Sequence, residues 1–432
     1  MKQLALDVKR LEGQLVRCTS CGMCQAVCPL YEKTRKEADV SRGKLALING
    51  LIDQIFDDPK GVNQHLDRCL LCGSCAKACP SRVNTLEIFI HARVIIRQYL
   101  GLPFYKKLLF KKILASPGTF NILMGLAAAF QPFFLKKEDN VQGTSCARFS
   151  SPLLKDRRII SLHGAPFYQT LTRQDFRKDT KGIRVAFFVG CLIDKLFPDI
   201  AHSLLYILEY FNVRVFIPAN QGCCGMPALS AGDQSSFDKL VDYHIDLFSN
   251  EKFDYLVTAC PTCAAAIIKL WPVLSTGMEI SRKKKIEAMA EKTVDISWLM
   301  DKRFDLVSAI PETDDEKERT TYHDPCHLKK SLGVSNEPRS VIKATSNTLV
   351  EMAKSDTCCG MGGRFNLTHY GLSYQIGQTK TANIIDTHCT TVATSCPACI
   401  MQLSEMLAKE NQKIMVKHPV EIYASALKAD KQ

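Results

Sequence analysis

Cys18-Thr-Ser-Cys21-Gly-Met-Cys24-Gln-Ala-Val-Cys28-Pro29 is answered further along the chain by Cys69-Leu-Leu-Cys72-Gly-Ser-Cys75-Ala-Lys-Ala-Cys79-Pro80. Both stretches read C-x2-C-x2-C-x3-C-P, the spacing by which thiolates hold a pair of cubic [4Fe–4S] clusters. Two-residue gaps bring successive sulfurs onto neighbouring irons of one cube, and the fourth cysteine of each run turns away to the other. The spacing therefore predicts one site from Cys18, Cys21, Cys24 and Cys79, and a second from Cys69, Cys72, Cys75 and Cys28. Gly22 and Gly73 allow a tight backbone turn beside the sulfurs, and Pro29 and Pro80 end each run without an N–H donor. Paired C-x2-C units also serve structural zinc, but zinc ribbons do not carry four cysteines at 2-2-3 spacing, closed by proline, twice.

Outward from these runs, residues 1–97 read as one ferredoxin-type domain. Ser41–Phe56 carries apolar residues at helical spacing (Leu45, Ile48, Leu51, Ile52, Ile55), and Leu86–Leu100 forms the exit helix. We expect a mostly helical domain with two [4Fe–4S] clusters. The chain has 432 residues, 46% of them hydrophobic, room for about two to four domains. Its twenty cysteines fit a disulfide scaffold poorly, since such scaffolds are small secreted domains. Met1–Gly13 is charged and has no apolar core, so it is not a signal peptide. A reducing, cytoplasmic compartment follows, and there clustered thiolates mean metal or redox chemistry. The net charge of +12 suits a membrane surface or an acidic partner. No nucleic-acid reading module accompanies it, and nucleic acid is not expected as a partner.

Residues 98–180 read as a basic, apolar helical connector and linker. Ile113–Leu135 has no charged residue, but Pro117, Thr119, Asn121, Gln131 and Pro132 interrupt it, leaving Ile122–Phe130 as its apolar centre. That is short of the roughly 20 apolar residues a spanning helix needs. Arg97, Lys106, Lys107, Lys111, Lys112, Lys136 and Lys137 flank it, as in a segment lying in a membrane interface. A helical hairpin packed on the rest of the chain or on a partner is equally compatible. Residues 138–180 read as an irregular linker, and Cys146 within it matches no motif.

The second half is a duplication. Cys191, Cys223-Cys224-Gly225 and Cys260-Pro-Thr-Cys263 recur as Cys326, Cys358-Cys359-Gly360 and Cys396-Pro-Ala-Cys399, each offset by 135 or 136 residues. Strands at Ile183–Val189, Val213–Ile217 and Phe253–Thr258 alternate with helices at Leu196–Phe211 and Asp233–Ser249. The second copy repeats the alternation, with strands near Thr320–Tyr322, Thr348–Met352 and Thr390–Thr394 and a helix near Tyr370–Asp386. Such alternation predicts two α/β domains with parallel sheets, residues 181–300 and 301–432. Five thiols of each copy then gather at the carboxyl ends of the strands, where open α/β sheets bind ligands. Five thiolates repel unless metal ions intervene, and two adjacent cysteines suit a cluster more open than a cube. Gly225 and Gly360 are expected to give it clearance. Structural zinc or a Cys-x-x-Cys dithiol are the bland readings. His323 and His327, beside Cys326, could tune such a site or merely bond the backbone.

A ferredoxin domain followed by two cysteine-rich "CCG" domains resembles the iron–sulfur subunit family of glycolate oxidase. Heterodisulfide reductase subunits and the anaerobic glycerol-3-phosphate dehydrogenase iron–sulfur subunit are more distant relatives. The resemblance is closest at Cys358-Cys-Gly-Met-Gly-Gly-Arg-Phe-Asn-Leu-Thr-His-Tyr, Thr394-Ser-Cys-Pro-Ala-Cys-Ile-Met-Gln-Leu and His418-Pro-Val-Glu-Ile-Tyr. It implies an electron-transfer subunit of a 2-hydroxy-acid (glycolate or D-lactate) dehydrogenase. Such a subunit receives electrons from a separate FAD subunit and passes them to a membrane quinone or other acceptor. It would sit peripherally on the cytoplasmic face of the inner membrane, touching it through residues 98–137. The resemblance also implies one or two further, non-cubane [4Fe–4S] clusters in the CCG domains. The chain has no Gly-x-Gly-x-x-Gly or P-loop, in keeping with a carrier rather than a self-sufficient dehydrogenase. A thiol–disulfide reductase and a zinc-bound scaffold are the competing readings.

Overall fold

The computed structural model describes residues 2–137, 144–148, 157–171, 182–249, 251–275, 278–310, 318–345 and 347–429. From Lys2 to Leu100 the regular structure is all helical, with no strand. Leu4, Val8, Leu11 and Leu15 of the opening helices bury against Leu45, Ile48 and Leu51 of Ser41–Ile52 and against Ile88, Phe89 and Ala92 of Thr85–Leu100. The helix at 41 ends at Ile52, short of the predicted Phe56. Gln54 adopts φ 54°, which breaks the helix, and the Phe56 ring folds back onto Gly50.

Two helices follow, Phe104–Leu114 and Pro117–Phe134, bent by 102° at Ala115–Ser116. Pro117 occupies the first position of the second helix, where its missing N–H costs nothing. Among the described residues no single helix is long and apolar enough to cross a membrane. Where it is described, the predicted irregular linker contains a short helix, Phe167–Thr170, and contributes to a small antiparallel sheet: Leu135–Lys137 pairs with Thr144–Ala147, which pairs with Ile159–Ile160. Strands of two to four residues carry no readable alternation, and their pairing is set by the surfaces they cover. Residues 138–143, 149–156 and 172–180 of that linker, and residue 181 after it, lie outside the described residues.

The two copies fold alike. In the first, Arg214–Phe216, Arg184–Phe187, Tyr255–Thr258 and Thr293–Asp295 lie side by side in that order, all parallel. In the second the order is Thr348–Val350, Arg319–Tyr322, Thr391–Ala393, Met415–Lys417. The fourth strand of each sheet escaped the sequence reading, because three residues among charged neighbours give no apolar run. Helices Pro198–Tyr210 and Gln234–Phe248 flank the first sheet, and Tyr370–Ile385 and Pro397–Lys409 the second. The copies also interlock. The last helix, Pro419–Ala429, packs on Pro198–Tyr210 of the first copy, and Ile296–Arg303 packs on Asn336–Lys343 of the second. Tyr423, on the last helix, donates its hydroxyl to Leu306 O at 2.9 Å.

Candidate functional site

In the helical domain, each cysteine run opens into a short helix through a left-handed glycine, Gly22 at φ 84° and Gly73 at φ 72°. That turn curls the first three sulfurs of each run inward. Cys18, Cys21, Cys24 and Cys79 surround one cavity. Cys28, Cys69 and Cys72 surround its neighbour, with Cys75 in the wall between. The fourth cysteine of each run thus lies beside the first three of the other. Backbone N–H groups approach the sulfurs, Leu71 N to Cys69 Sγ at 3.5 Å and Val83 N to Cys79 Sγ at 3.5 Å. Burial pushes the Cys28 thiol up to about 11 and Cys75 up to about 12, so these sulfurs are poor thiolates until a cation sits among them. Two buried cations that sequence reasoning passed over stand at the second site, Lys44 in the cavity wall and Arg93 on the Cys69 backbone. Lys44 is 1% exposed. Burial lowers its pKa, opposed by the charges of Cys69 and Cys28, and its ammonium bonds Asp39 O. Arg93 donates to Cys69 O at 2.9 Å and to Ser230 O of the first copy at 3.0 Å. The signal was available: Lys44 falls on the buried face of Ser41–Ile52 beside Leu45 and Ile48, and Arg93 on that of Thr85–Leu100.

In the duplicated half, all ten predicted thiols converge at the carboxyl ends of the strands. Cys191 opens a helix, and Cys260 and Cys396 are the N-cap residues of theirs, so helix N-termini face the sulfurs. In the first copy the thiols influence one another in a chain, Cys191–Cys223–Cys224–Cys263–Cys260. In the second the chain is Cys326–Cys358–Cys359–Cys399–Cys396, with 3.3 Å between the Cys359 and Cys399 sulfurs. The neighbouring thiols Cys223 and Cys263 hold Cys224 well below the usual thiol range, and Cys358 and Cys399 do the same for Cys359. Every cysteine is a free thiol. Buried, converging, anion-prone sulfurs with no disulfide between them suit soft, bridging metal ions such as those of an iron–sulfur cluster.

The glycines need a different account from cluster clearance. A Cβ on Gly225 (φ 90°) would lie 2.7 Å from the Phe237 ring, and one on Gly360 (φ 97°) 2.7 Å from Ser373 O. They let each adjacent-cysteine loop press onto the helix behind it. Of the two remaining cysteines, Cys146 lies in the small antiparallel sheet. Cys389 is buried with its thiol on Thr387 O at 3.7 Å.

The sites adjoin one another. Cys72 of the helical domain and Cys358 of the second copy lie in one apolar cluster with Leu70, Phe365 and Ile376. His327 joins three parts of the chain. Its Nε2 donates to Leu71 O at 3.3 Å, and its Nδ1 accepts from Thr262 Oγ1 at 3.1 Å. Lys330 donates to Ser74 Oγ at 2.7 Å, and Asp67 takes Arg97 at 2.8 Å and Arg364 at 2.6 Å. Between the two copies, His418 Nε2 donates to Ser395 O at 2.9 Å and Ala259 O at 3.2 Å, the residues preceding Cys396 and Cys260. Finally, Pro117 at the bend of the apolar helices sits on Gly222, where a Cβ would meet its Cγ at 2.9 Å. Gly222 directly precedes Cys223.

Known proteins share this layout. A family model described as "4Fe-4S dicluster domain" matches residues 14–83, and one described as "Cysteine-rich domain" matches residues 185–268 and 320–404. The chain thus joins a match to a 4Fe–4S dicluster domain to two matches to the cysteine-rich domain. Among curated relatives, it is 27% identical to the "Probable glycolate oxidase iron-sulfur subunit" of Bacillus subtilis over 95% of this chain and 93% of that one. It is 25% identical to the "Glycolate oxidase iron-sulfur subunit" of Escherichia coli over 88% of each. It is 26% identical to a subunit of the fumarate reductase (CoM/CoB) of Methanothermobacter marburgensis over 94% of this chain and 70% of that one. The protein is an iron–sulfur protein homologous to glycolate oxidase iron–sulfur subunits, with more than one cluster-binding domain.

Proposed function

We propose that the protein is the electron-relay subunit of a 2-hydroxy-acid (glycolate or D-lactate) dehydrogenase. In this reading it takes electrons from a separate FAD subunit and delivers them to a membrane quinone or other acceptor. It works in the cytoplasm, peripherally on the inner face of the membrane. One observation carries the reading: four sulfur-lined sites run in a row, from exposed Cys21 through the buried cluster shared by Cys72 and Cys358 to the Cys223 loop under Pro117. Iron–sulfur clusters held in such sites supply one-electron transfer. Cys18, Cys21, Cys24 and Cys79 would hold one cube, Cys69, Cys72, Cys75 and Cys28 the other. Cys191, Cys223, Cys224, Cys260 and Cys263 would hold a third centre, and Cys326, Cys358, Cys359, Cys396 and Cys399 a fourth. The chain's own part is to bury these sulfurs, space them and place Lys44 and Arg93 beside them.

The far end of the row suits a lipid surface. Among the described residues, half of the exposed large apolar side chains lie between Phe104 and Phe134, including Phe104, Ile122, Leu126, Phe130 and Phe133. Lys106, Lys107, Lys111, Lys112 and Lys136 accompany them, the composition of an interfacial segment. The test is anaerobic reconstitution with the flavoprotein neighbour and a quinone analogue. Glycolate- or lactate-driven quinone reduction is expected, and its absence in a fully loaded complex defeats the reading. A second reading, a thiol–disulfide reductase subunit, draws on the complete five-thiol set in both copies and the likeness to the methanogen fumarate reductase (CoM/CoB). Disulfide reduction lost in Cys358→Ala would favour it.

A further inference from the structure

The duplicated sites share their sulfurs but not their surroundings. His323 and Phe188 are equivalent positions: His323 N donates to Ala393 O at 2.9 Å, as Phe188 N donates to Val257 O at 2.8 Å. Each lies three residues ahead of the first cysteine of its set. Yet Phe188 builds an aromatic wall, its ring 5.0 Å from His244, 5.9 Å from Phe248 and 6.4 Å from Trp271. His323 is fully buried, and neither ring nitrogen meets a protein oxygen or nitrogen. One of those nitrogens lies within 4.8 Å of the Cys359 and Cys399 sulfurs. The following residue is clamped, since Asp324 accepts from Arg339 at 2.8 Å, Ser355 at 2.8 Å and Ser335 at 3.0 Å. The imidazole is therefore held where it stands.

The helices behind the sites differ in the same sense. Lys380 and His244 each lie 16 residues ahead of the third-group cysteines Cys396 and Cys260. Lys380 buries an ammonium beside Cys358 and Cys359, anchored on Lys354 O and Ser355 O. Both nitrogens of His244 are spent on backbone, Nδ1 on Leu240 O at 2.7 Å and Nε2 on Gly222 N at 3.1 Å. A buried N–H costs free energy unless it finds an acceptor, and the acceptors within reach of His323 are sulfurs.

We propose that His323 donates a ring N–H to the sulfur of the second centre, at Cys359 and Cys399, and that this contact makes the second centre easier to reduce than the first. Hydrogen bonds and positive charge at the sulfurs favour the more negative, reduced state. The inference rests on clusters occupying the duplicated sites, as proposed above. It gives the two copies unequal roles, the second centre holding an electron more readily than the first.

The test uses the full-length protein, loaded anaerobically, with iron and sulfide counted per chain. Paramagnetic-resonance redox titration should resolve two duplicated-site signals, the higher belonging to the signal that Cys358→Ser removes. In His323→Phe, loaded to the same iron content, that midpoint should fall by about 59 mV or more, a tenfold shift for one electron. In protein carrying 15N-histidine, the same signal should show nitrogen coupling that the other lacks, a reading that requires no variant. An unmoved midpoint, or absent histidine coupling, overturns the proposal. Wild-type protein with iron only in the helical domain would instead defeat the underlying assignment of clusters to these sites.

Discussion

Cys72 and Cys358 are buried in one apolar cluster, although one belongs to the helical domain and the other to the last domain of the chain. The copy next in sequence to the helical domain is therefore not the one its second sulfur site touches. Asp67, Arg97 and Arg364 brace that junction from the side.

The exchange of fourth cysteines predicts which iron is lost to which substitution. Cys79→Ser should remove the centre at Cys18, Cys21 and Cys24, while Cys28→Ser should remove the one at Cys69, Cys72 and Cys75. Each should cost about four irons per chain, counted beside the resonance spectrum. Loss of the opposite centre in either variant would refute the pairing.

Asp67→Asn should destabilise the junction. Burial alone would raise this carboxyl, but Arg364, Arg93 and Arg97 hold it below the usual carboxylate range. Removing its charge leaves those guanidinium groups without their counter-ion, at a cost of about 3 kcal/mol. Urea unfolding should show that loss, whereas Glu251→Gln, whose side chain is half exposed to solvent, should stay within about 0.5 kcal/mol.

Acid should loosen the contact between the two copies. Burial holds the His418 imidazole down to about 4, against about 6.5 in an unfolded chain. Below pH 6.5 the unfolded state takes up a proton that the folded state refuses, so stability is lost as pH falls from about 6.5 to 4. At about 1.4 kcal/mol per unit, the loss from this group approaches 3 kcal/mol. His244, held down to about 4 by its burial, adds a loss of the same sign. Denaturant unfolding across that range should show a shallower slope in His418→Gln; an unchanged slope would refute the assignment.

The bent apolar helices should bind lipid. Phe130→Ser combined with Phe133→Ser removes two exposed rings, 57% and 68% accessible. Each is worth roughly 1.5–3 kcal/mol when buried. Sedimentation with vesicles containing anionic lipid should weaken at least about tenfold. Binding that survives the double change would move the contact elsewhere.

Much of this was legible in the sequence because cysteines cannot be substituted by look-alikes. The 2-2-3 spacing located the eight sulfurs of the helical domain, and the 135-residue echo located ten more together with three strands of each sheet. What stayed hidden depends on long-range packing. The fourth strands, Thr293–Asp295 and Met415–Lys417, are too short to show a period. Gly225 and Gly360 looked like clearance for a cluster but are pressed against Phe237 and Ser373. His418 sat in plain view, and only the folded chain shows that its ring reaches two carbonyls 159 and 23 residues away.

That histidine has a consequence for assembly. With one imidazole pinned to the residues before Cys260 and Cys396, neither sulfur loop can swing outward without dragging the other. A metal-delivery machine would meet both doors open or both shut. Maturation should then proceed in an all-or-none step, with few chains caught carrying one filled site of the pair. Native mass spectrometry of partly loaded protein would reveal whether such half-filled chains accumulate.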